Sequence, residues 1–371
     1  MSATTARHIY SKLDADGTLT VGIAKQNLPE PTGSRVLIEV EATPVNPSDL
    51  GLLFGSADLE NAQFDDGTIT AQMPAPALRA MQGRVGEAMP VGIEGAGRVV
   101  AAGDDEAAQK LMGRRVACAP GGMYATHRIV EARDCMTLPD DVSAELGAAS
   151  FVNPMTALGF TETLRAEGGK GIVHTAAASN LGQMLVKICA EDDIPLVNIV
   201  RSDEQVKILR DIGAKHVVNS SDDDFFARLK DAIGETGAMT AFDAIGGGRM
   251  ASTILTAMEQ VASANDKYSR YGSSVMKRVH VYGALDLSPI ELTRSFGFVW
   301  TVSGWLLMPF LTQAGRDTVE RMRARVRDNL TGMFASQYSA RGDLSAMLRR
   351  ENALSYNAKK TGEKFLVTPN G

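Results

Sequence analysis

The chain is short of cysteine, of aromatic residues and of surplus positive charge. Only Cys118, Cys135 and Cys189 occur in 371 residues. They form no CxxC and have no histidine spaced to join them, which excludes a disulfide framework or a zinc knuckle and suits a reducing compartment. Lys and Arg number 38 against 44 Asp and Glu, a formal net charge of −6. No basic stripe is available to neutralise phosphates, so nucleic acid is not an expected partner. Arg321, Arg323, Arg325 and Arg327 read instead as the exposed face of a helix. The opening MSATTARHIYSKLDADG has no apolar core and is too acidic for a transit peptide, from which a cytoplasmic location is expected. Long apolar runs are scarce. The exception, Ser295 to Gly315, carries no charge and holds both tryptophans. Its length would suit a bilayer, yet Ser303, Gly304, Pro309 and Gln313 interrupt it. A buried strand followed by a helix start explains it better, and no membrane partner is expected.

What is present is an ordinary globular composition, 44% hydrophobic and 22% charged, in a chain long enough for two domains. The most informative stretch is GIVHTAAASNLGQMLVKICAEDDIPLVNIVR, residues 171–201. Gly171 to Thr175 reads as a short strand. Ala176 to Asn180, including Ala178 and Ser179, are small enough to let backbone N–H groups approach a pyrophosphate at a helix N-terminus, with Leu181 and Gly182 opening that helix. A strict GxGxxG is lacking, since only Gly182 survives as glycine and Ser179 and Asn180 stand where a second would be expected. The continuation strengthens the reading. Leu181, Met184, Leu185 and Ile188 recur at helical spacing, and Pro195 to Val200 form a second strand one βαβ unit on. Dinucleotide folds that select NAD end that strand on an acidic residue; here Arg201 and Ser202 follow it, a guanidinium and a hydroxyl suited to a 2′-phosphate, so the expected cofactor is NADPH. The alternative is a solvated Arg201 with Asp203 reading the ribose.

From residue 171 onward strand and helix patterns alternate, which predicts a parallel sheet covered on both faces. Before 150 the texture is of short β runs such as RVLIEVEATPV and MYATHRIVEA, an all-β or partly open barrel domain. Residues 57–90 show no sustained period and look like an inserted excursion. The tail ends in EKFLVTPN, a strand expected to return to the first domain. The expected division is 1–152, 153–318 and 319–371, with the last part rejoining the first.

Several phrases in fixed order resemble the medium-chain dehydrogenase/reductase superfamily, in particular its zinc-independent branch of quinone oxidoreductases and 2-enoyl thioester reductases: PVNPSDL (44–50), VGIEGAGRVV (91–100), LPDDVSAELGAASFVNPMTALGF (138–160), the nucleotide loop, FDAIGGG (242–248), VYGALDLSPIEL (281–292) and TGEKFLVTP (361–369). The resemblance implies an α/β protein made of a Rossmann cofactor-binding domain and a GroES-like β-barrel domain, with the site in the cleft between them. Zinc-dependent members place a cysteine in the first loop and a histidine before the glutamate of the second. Asn46 and Ile93 stand there in this chain, so no metal is expected. The implied reaction is NADPH hydride transfer to a small electrophile, a quinone or an α,β-unsaturated carbonyl.

The resemblance also assigns residues. Asn46 would hold the nicotinamide carboxamide or the substrate carbonyl, against an Asx turn before Pro47. Asn153 and Thr156 would line the cofactor cleft, or cap the helix around Pro154. Gly246 and Gly247 would let the cofactor ribose approach, and Tyr282 and Gly283 end the next strand at a similar height. Lys364 would reach the cofactor or remain solvated. His174 reads as a satisfied strand residue. The tyrosine that donates a proton in enoyl thioester reductases is replaced by Ala57, which leaves Tyr124 or water as donor and shifts weight toward a quinone or enone reductase. The rivals are a 2-enoyl thioester reductase and a non-catalytic NADPH-binding redox sensor. The apolar Ser295 to Gly315 segment, with Trp300, Trp305, Leu306, Met308 and Phe310, is expected to be buried at the centre of a homodimer or beneath the basic helix.

Overall fold

A computed structural model describes residues 4–362 and 364–371. The chain divides into two compact units: one runs to Val152 and resumes at Arg323, and the other is Asn153–Met322. The second boundary between the units falls after Met322. It lies inside the helix Arg316–Asp328, where no break in composition marks it.

In the Asn153–Met322 unit six strands form one parallel sheet. The spatial order is His216–Asn219, Leu196–Val200, Ile172–His174, Thr240–Asp243, Lys277–Val281 and Trp300–Gly304. The chain starts in the middle, winds outward through two strands, then returns and winds the other way, which is the Rossmann order. Every residue of Ile172–His174, Leu196–Val200 and Thr240–Asp243 is buried, as strands covered on both faces require. Val173, Val197, Ile199, Leu229, Ile254 and Val279 share the core on one side. The winding of the chain reverses between the parallel neighbours Ile172–His174 and Thr240–Asp243, so the crevice of a doubly wound sheet opens at their carboxyl ends.

The apolar stretch at 295–315 forms the strand Trp300–Gly304 and the helix Leu307–Ala314. Among the described residues no helix is long and apolar enough to cross a membrane. Burial of the whole stretch, however, is not what the fold gives. Trp305 and Leu311 are buried, whereas Leu306 is 67% and Met308 62% exposed. The strand is the last of its sheet, so one edge of its backbone is unpaired among the described residues.

The other unit is antiparallel except where Ala340–Gly342 runs parallel to Phe365–Val367. Two of its long strands, Thr4–Leu13 and Thr18–Leu28, pair as a hairpin and extend into a five-stranded sheet with Gln63–Asp65, Thr68–Gln72 and Ala88–Pro90. The 57–90 stretch is therefore an integral part of this sheet and not an excursion. Strands of three to five residues are too short to show a period, and Ala, Met and Pro do not mark them. A second sheet joins Met136–Thr137, Arg115–Cys118, Gly95–Ala102, Arg35–Pro44, Phe365–Val367 and Ala340–Gly342, with His127–Glu131 also on Arg35–Pro44. The tail strand Phe365–Val367 thus pairs with Arg35–Pro44 across most of the sequence.

The basic helix also departs from expectation. Arginines at every second position step about 200° around a helix, so they alternate between opposite sides. Arg321 pairs with Glu162 at 3.0 Å, and Arg323 is half-buried and donates to the Arg133 carbonyl at 3.4 Å. They do not form one solvated face.

Candidate functional site

At the carboxyl end of Ile172–His174 the chain turns through Ala176, which has a positive φ of 50°, and enters the helix Asn180–Glu191. Ser179 is its N-cap, and the hydroxyl accepts from the Gly182 N–H at 3.1 Å. A Cβ on Gly182 would stand 2.1 Å from the Ala177 carbonyl oxygen. Any side chain there would push the loop off the helix, leaving glycine as the residue this close approach tolerates. Ala178 and Leu181 are buried beside it.

Beneath the loop lies a clamp the sequence did not suggest. Thr175 Oγ1 donates to Asp243 Oδ1 at 2.7 Å and accepts from the Ala244 N–H at 2.8 Å. The Asp243 carboxylate also takes the N–H groups of Ile245 and Gly246, at 2.9 and 3.2 Å. The strands on either side of the switch point are thereby locked at one height. Gly246 has φ +82°, and a Cβ on it would lie 2.5 Å from the Gly283 carbonyl oxygen. One on Gly283 would lie 2.5 Å from that of Ala244, and one on Gly247 2.7 Å from that of Ser288. These glycines are required by backbone packed on backbone, whatever else approaches them. Tyr282 directs its hydroxyl to His174 Nε2 at 2.8 Å and packs its ring edge-on to Phe160. His174 is only half satisfied. Its Nδ1 is buried without a partner, and burial lowers its pKa to about 3, so the ring is neutral.

Arg201 is exposed at the end of the second strand, with its backbone N–H on Gln205 Oε1 at 3.0 Å. Ser202 is the N-cap of the helix Asp203–Asp211. The Asp203 carboxylate, the alternative reader of a ribose, accepts from Asn219 Nδ2 at 3.1 Å. Asn153 and Thr156 are buried in the opening turns of the helix Val152–Ala166, with Pro154 between them.

The first unit holds a separate buried polar cluster. Asn46 is the N-cap of Pro47–Leu53, and its backbone N–H donates to Asp49 Oδ2 at 2.8 Å. An amide N–H of the Asn46 side chain is spent on Glu94 Oε1, also at 2.8 Å. Glu94 takes the Phe151 and Val152 N–H groups on its other oxygen at 2.8 and 2.9 Å, and Asp49 Oδ1 takes the Ile93 N–H at 2.8 Å. Burial raises Asp49 to about 7 and pushes Glu94 upward. Lys364 is not solvated. Its Nζ is buried with no hydrogen-bond partner among the described residues and lies 5.7 Å from the Tyr338 ring centroid. Burial lowers it to about 8, opposed by the charges of Glu94 and Asp49. Asp49 and Glu94 were missed in the sequence. The spacing Asn46 to Asp49, an N-cap with an acid three residues on, was the available signal.

Tyr124 does not suit the part of a direct proton donor. It is fully buried, its hydroxyl donates to the Pro44 carbonyl at 3.2 Å, and it packs with Leu50, Leu53 and Val91. Burial, with Asp49 alongside, pushes its pKa well above the ordinary range. Among the described residues no group of three or more His, Cys, Asp or Glu is arranged to hold a metal ion.

Two family models match the chain. That of the alcohol dehydrogenase GroES-like domain covers residues 32–140, and that of the zinc-binding dehydrogenases covers residues 180–264. An enoyl-[acyl-carrier-protein] reductase, mitochondrial, from Bos taurus is 28% identical over 51% of this chain and 46% of its own length. A zinc-type alcohol dehydrogenase-like protein of Schizosaccharomyces pombe is 28% identical over 53% of this chain and 52% of its own. The chain thus spans about half the length of the curated relatives it matches. Among solved structures, one from Mesorhizobium loti proposed as an NADPH:quinone reductase superposes with a TM-score of 0.75 at 25% identity, covering 100% of both chains. A mutant enoyl thioester reductase from Candida tropicalis gives 0.66 at 17%, over 98% of this chain and 100% of that one, a likeness of fold. A Rossmann unit joined to a GroES-like unit defines the class. The chain belongs to the medium-chain dehydrogenase/reductase superfamily.

Asp49 generates a pH prediction. Its pKa is raised from 3.8 to about 7 in the folded chain. Its favourable contribution is therefore complete below the unfolded value near 4 and is lost as pH rises through 7. Denaturant unfolding should show wild type losing stability relative to Asp49→Asn between pH 4 and 8, by at most about 4 kcal/mol. A difference that stays flat with pH would contradict this.

Proposed function

We propose that the protein is an NADPH-dependent, zinc-independent reductase that transfers a hydride to a quinone or to the activated C=C of an enone or enal. The observation that carries this reading is the strand, tight loop and Ser179-capped helix, closed by Gly182 and followed by Arg201 and Ser202. The loop fits a dinucleotide on physical grounds. Ala176 to Ser179 carry only small side chains, and the helix begins with N–H groups suited to a pyrophosphate. Ala178, Ser179, Asn180 and Leu181 would hold the pyrophosphate. Arg201 and Ser202 would hold the 2′-phosphate, and Gly246, Gly247, Tyr282 and Gly283 would border the ribose and nicotinamide with Asn153 and Thr156. When bound, the cofactor supplies the hydride, and the acceptor's conjugation spreads the charge that develops.

The chain's own part is to orient the reactants and to hold a proton. Tyr282 is fixed by His174, and the Thr175–Asp243 clamp fixes the height of the strand ends. In the other unit Lys364 Nζ and Asp49, titrating near 8 and 7, keep exchangeable protons in a buried setting near neutral pH. Asn46 and Glu94 hold that setting in place. The missing tyrosine at Ala57 favours a quinone or enone over an acyl thioester. The enoyl reductase names among the curated relatives keep 2-enoyl thioester reduction as the second reading.

NADPH oxidation should be seen with free quinones, enones or enals, should exceed that with enoyl thioesters, and should survive dialysis against a strong chelator. A preference for enoyl thioesters would establish the second reading, and NADPH binding without turnover on any acceptor would leave a redox sensor. Arg201→Ala should weaken NADPH by about 1.5–3 kcal/mol, the range of a charge-assisted bond, and leave NADH nearly unchanged. Equal loss for both cofactors would defeat the assignment.

We further propose a homodimer built on the edge strand Trp300–Gly304. Its free backbone groups adjoin Phe298, 75% exposed, as well as Leu306 and Met308, and a second copy would cover these together. Val302 is a poor probe, since it packs on its own unit's core with Trp300. Leu306→Asp should instead give monomers in light scattering. A wild-type chain already monomeric at micromolar concentration would refute the dimer.

A further inference from the structure

The three cysteines are not equivalent in space. Cys118 closes the strand Arg115–Cys118, and Cys135 directly precedes the strand Met136–Thr137. These strands run antiparallel with Met136 opposite Ala117 and Thr137 opposite Val116, so the next step of the register sets Cys135 opposite Cys118. The Leu138 N–H donates to the Arg115 carbonyl at 3.0 Å. Hydrogen-bonded pairs therefore fall at 138/115 and 136/117, and the cysteines occupy the alternate kind, where facing Cα atoms approach to about 4.5 Å. A disulfide spans Cα separations of roughly 4.4–6.8 Å. Both side chains pack in one cluster with Val36, Ile38, Val116 and Val130. Cys118 is buried, while Cys135 is partly exposed, with its Sγ on the Glu131 carbonyl at 3.7 Å. Cys189 is buried in the helix Asn180–Glu191 of the other unit.

We propose that Cys118 and Cys135 form a reversible thiol–disulfide pair, closed by a hydroperoxide oxidant. Cys135, the reachable sulfur, attacks the peroxide as thiolate, taking one oxygen to become a sulfenic acid while the other leaves as water. The Cys118 sulfur then attacks that sulfenic sulfur, the S–S bond forms, and the oxygen departs as a second water. The two thiols give up two electrons and two protons, and one hydrogen peroxide becomes two waters. The neighbouring Cys135 thiol, then burial, push the Cys118 thiol well above its ordinary range, which suits a resolving partner better than a first attacker. A dithiol reductant reverses the step.

The test uses the full, unaltered chain. It is treated with hydrogen peroxide under native conditions, unfolded in an alkylating agent, digested and weighed with and without dithiothreitol. The expected product is a Cys118–Cys135 cross-link, about 2 Da lighter than the two free peptides. Cys189 should be alkylated in full, and dithiothreitol should restore both thiols. Cys135→Ser should abolish the cross-link. Full alkylation of Cys118 and Cys135 after treatment would overturn the proposal. So would sulfinic acid at Cys135 with no cross-link, or cross-links shared evenly with Cys189.

Discussion

The Asp243 carboxylate is the constraint on which the nucleotide end of the fold depends. It is fully buried at the carboxyl end of its strand, where desolvating a charge is costly unless donors surround it. The Thr175 hydroxyl and the N–H groups of Ile245 and Gly246 are those donors. The same bonds set where the chain leaves the sheet after each of the two central strands. The close approach of Gly246 to the Gly283 carbonyl and of Gly283 to the Ala244 carbonyl follows from that arrangement. Satisfying one buried acid thereby fixes the backbone of three loops at the switch point. A bare main chain results, without separate cause for each glycine.

The other unit solves a related problem differently. Asp49 and Glu94 are both buried, and their carboxylates are met mostly by backbone N–H groups: Asn46 and Ile93 for the first, Phe151 and Val152 for the second. Neutral donors offset only part of the desolvation, so both acids remain shifted upward. Lys364 sits near enough to act through space but without a hydrogen bond to either, so its own shift is downward. Incompletely compensated groups of opposite type titrate toward one another, and that brings protons into exchange near neutral pH.

The sequence made the parallel sheet legible because each of its helices shows a 3.6-residue period and each strand is a short apolar run between turn residues. The dinucleotide loop was legible for the same reason, through the strand before it and the helix after it rather than its own residues. The antiparallel sheet of Thr4–Leu13, Thr18–Leu28 and the 57–90 strands was not. In Thr4–Leu13 residues 9, 11 and 13 are buried as Ile, Ser and Leu, and a buried serine breaks the alternation a reader looks for. Ser11 is buried because its hydroxyl donates to the Leu53 carbonyl at 2.9 Å, a contact 42 residues distant that no local pattern encodes. Likewise Asn46 and Lys364 were picked out singly, while their neighbours Asp49 and Glu94 gain meaning only from pairing across the fold. The facing cysteines are of this kind too, 17 residues apart in sequence and adjacent only through strand register.

The position where the resemblance would set a zinc-ligating histidine shows how a site can be kept while its chemistry changes. Ile93 contributes no ligand, yet its backbone is used at both ends. Its N–H binds Asp49 Oδ1 at 2.8 Å, and its carbonyl accepts from the Gly121 N–H at 3.2 Å. Asn46, at the cysteine position, gives an amide N–H to Glu94 where a metal ligand would need to give a lone pair. The donors around these carboxylates are thus protons on nitrogen. A divalent cation would have to displace them and leave buried N–H groups without acceptors, each at a cost of about 1–3 kcal/mol. The balance of donors and acceptors, more than the loss of any one ligand, is what a metal ion would have to overcome here.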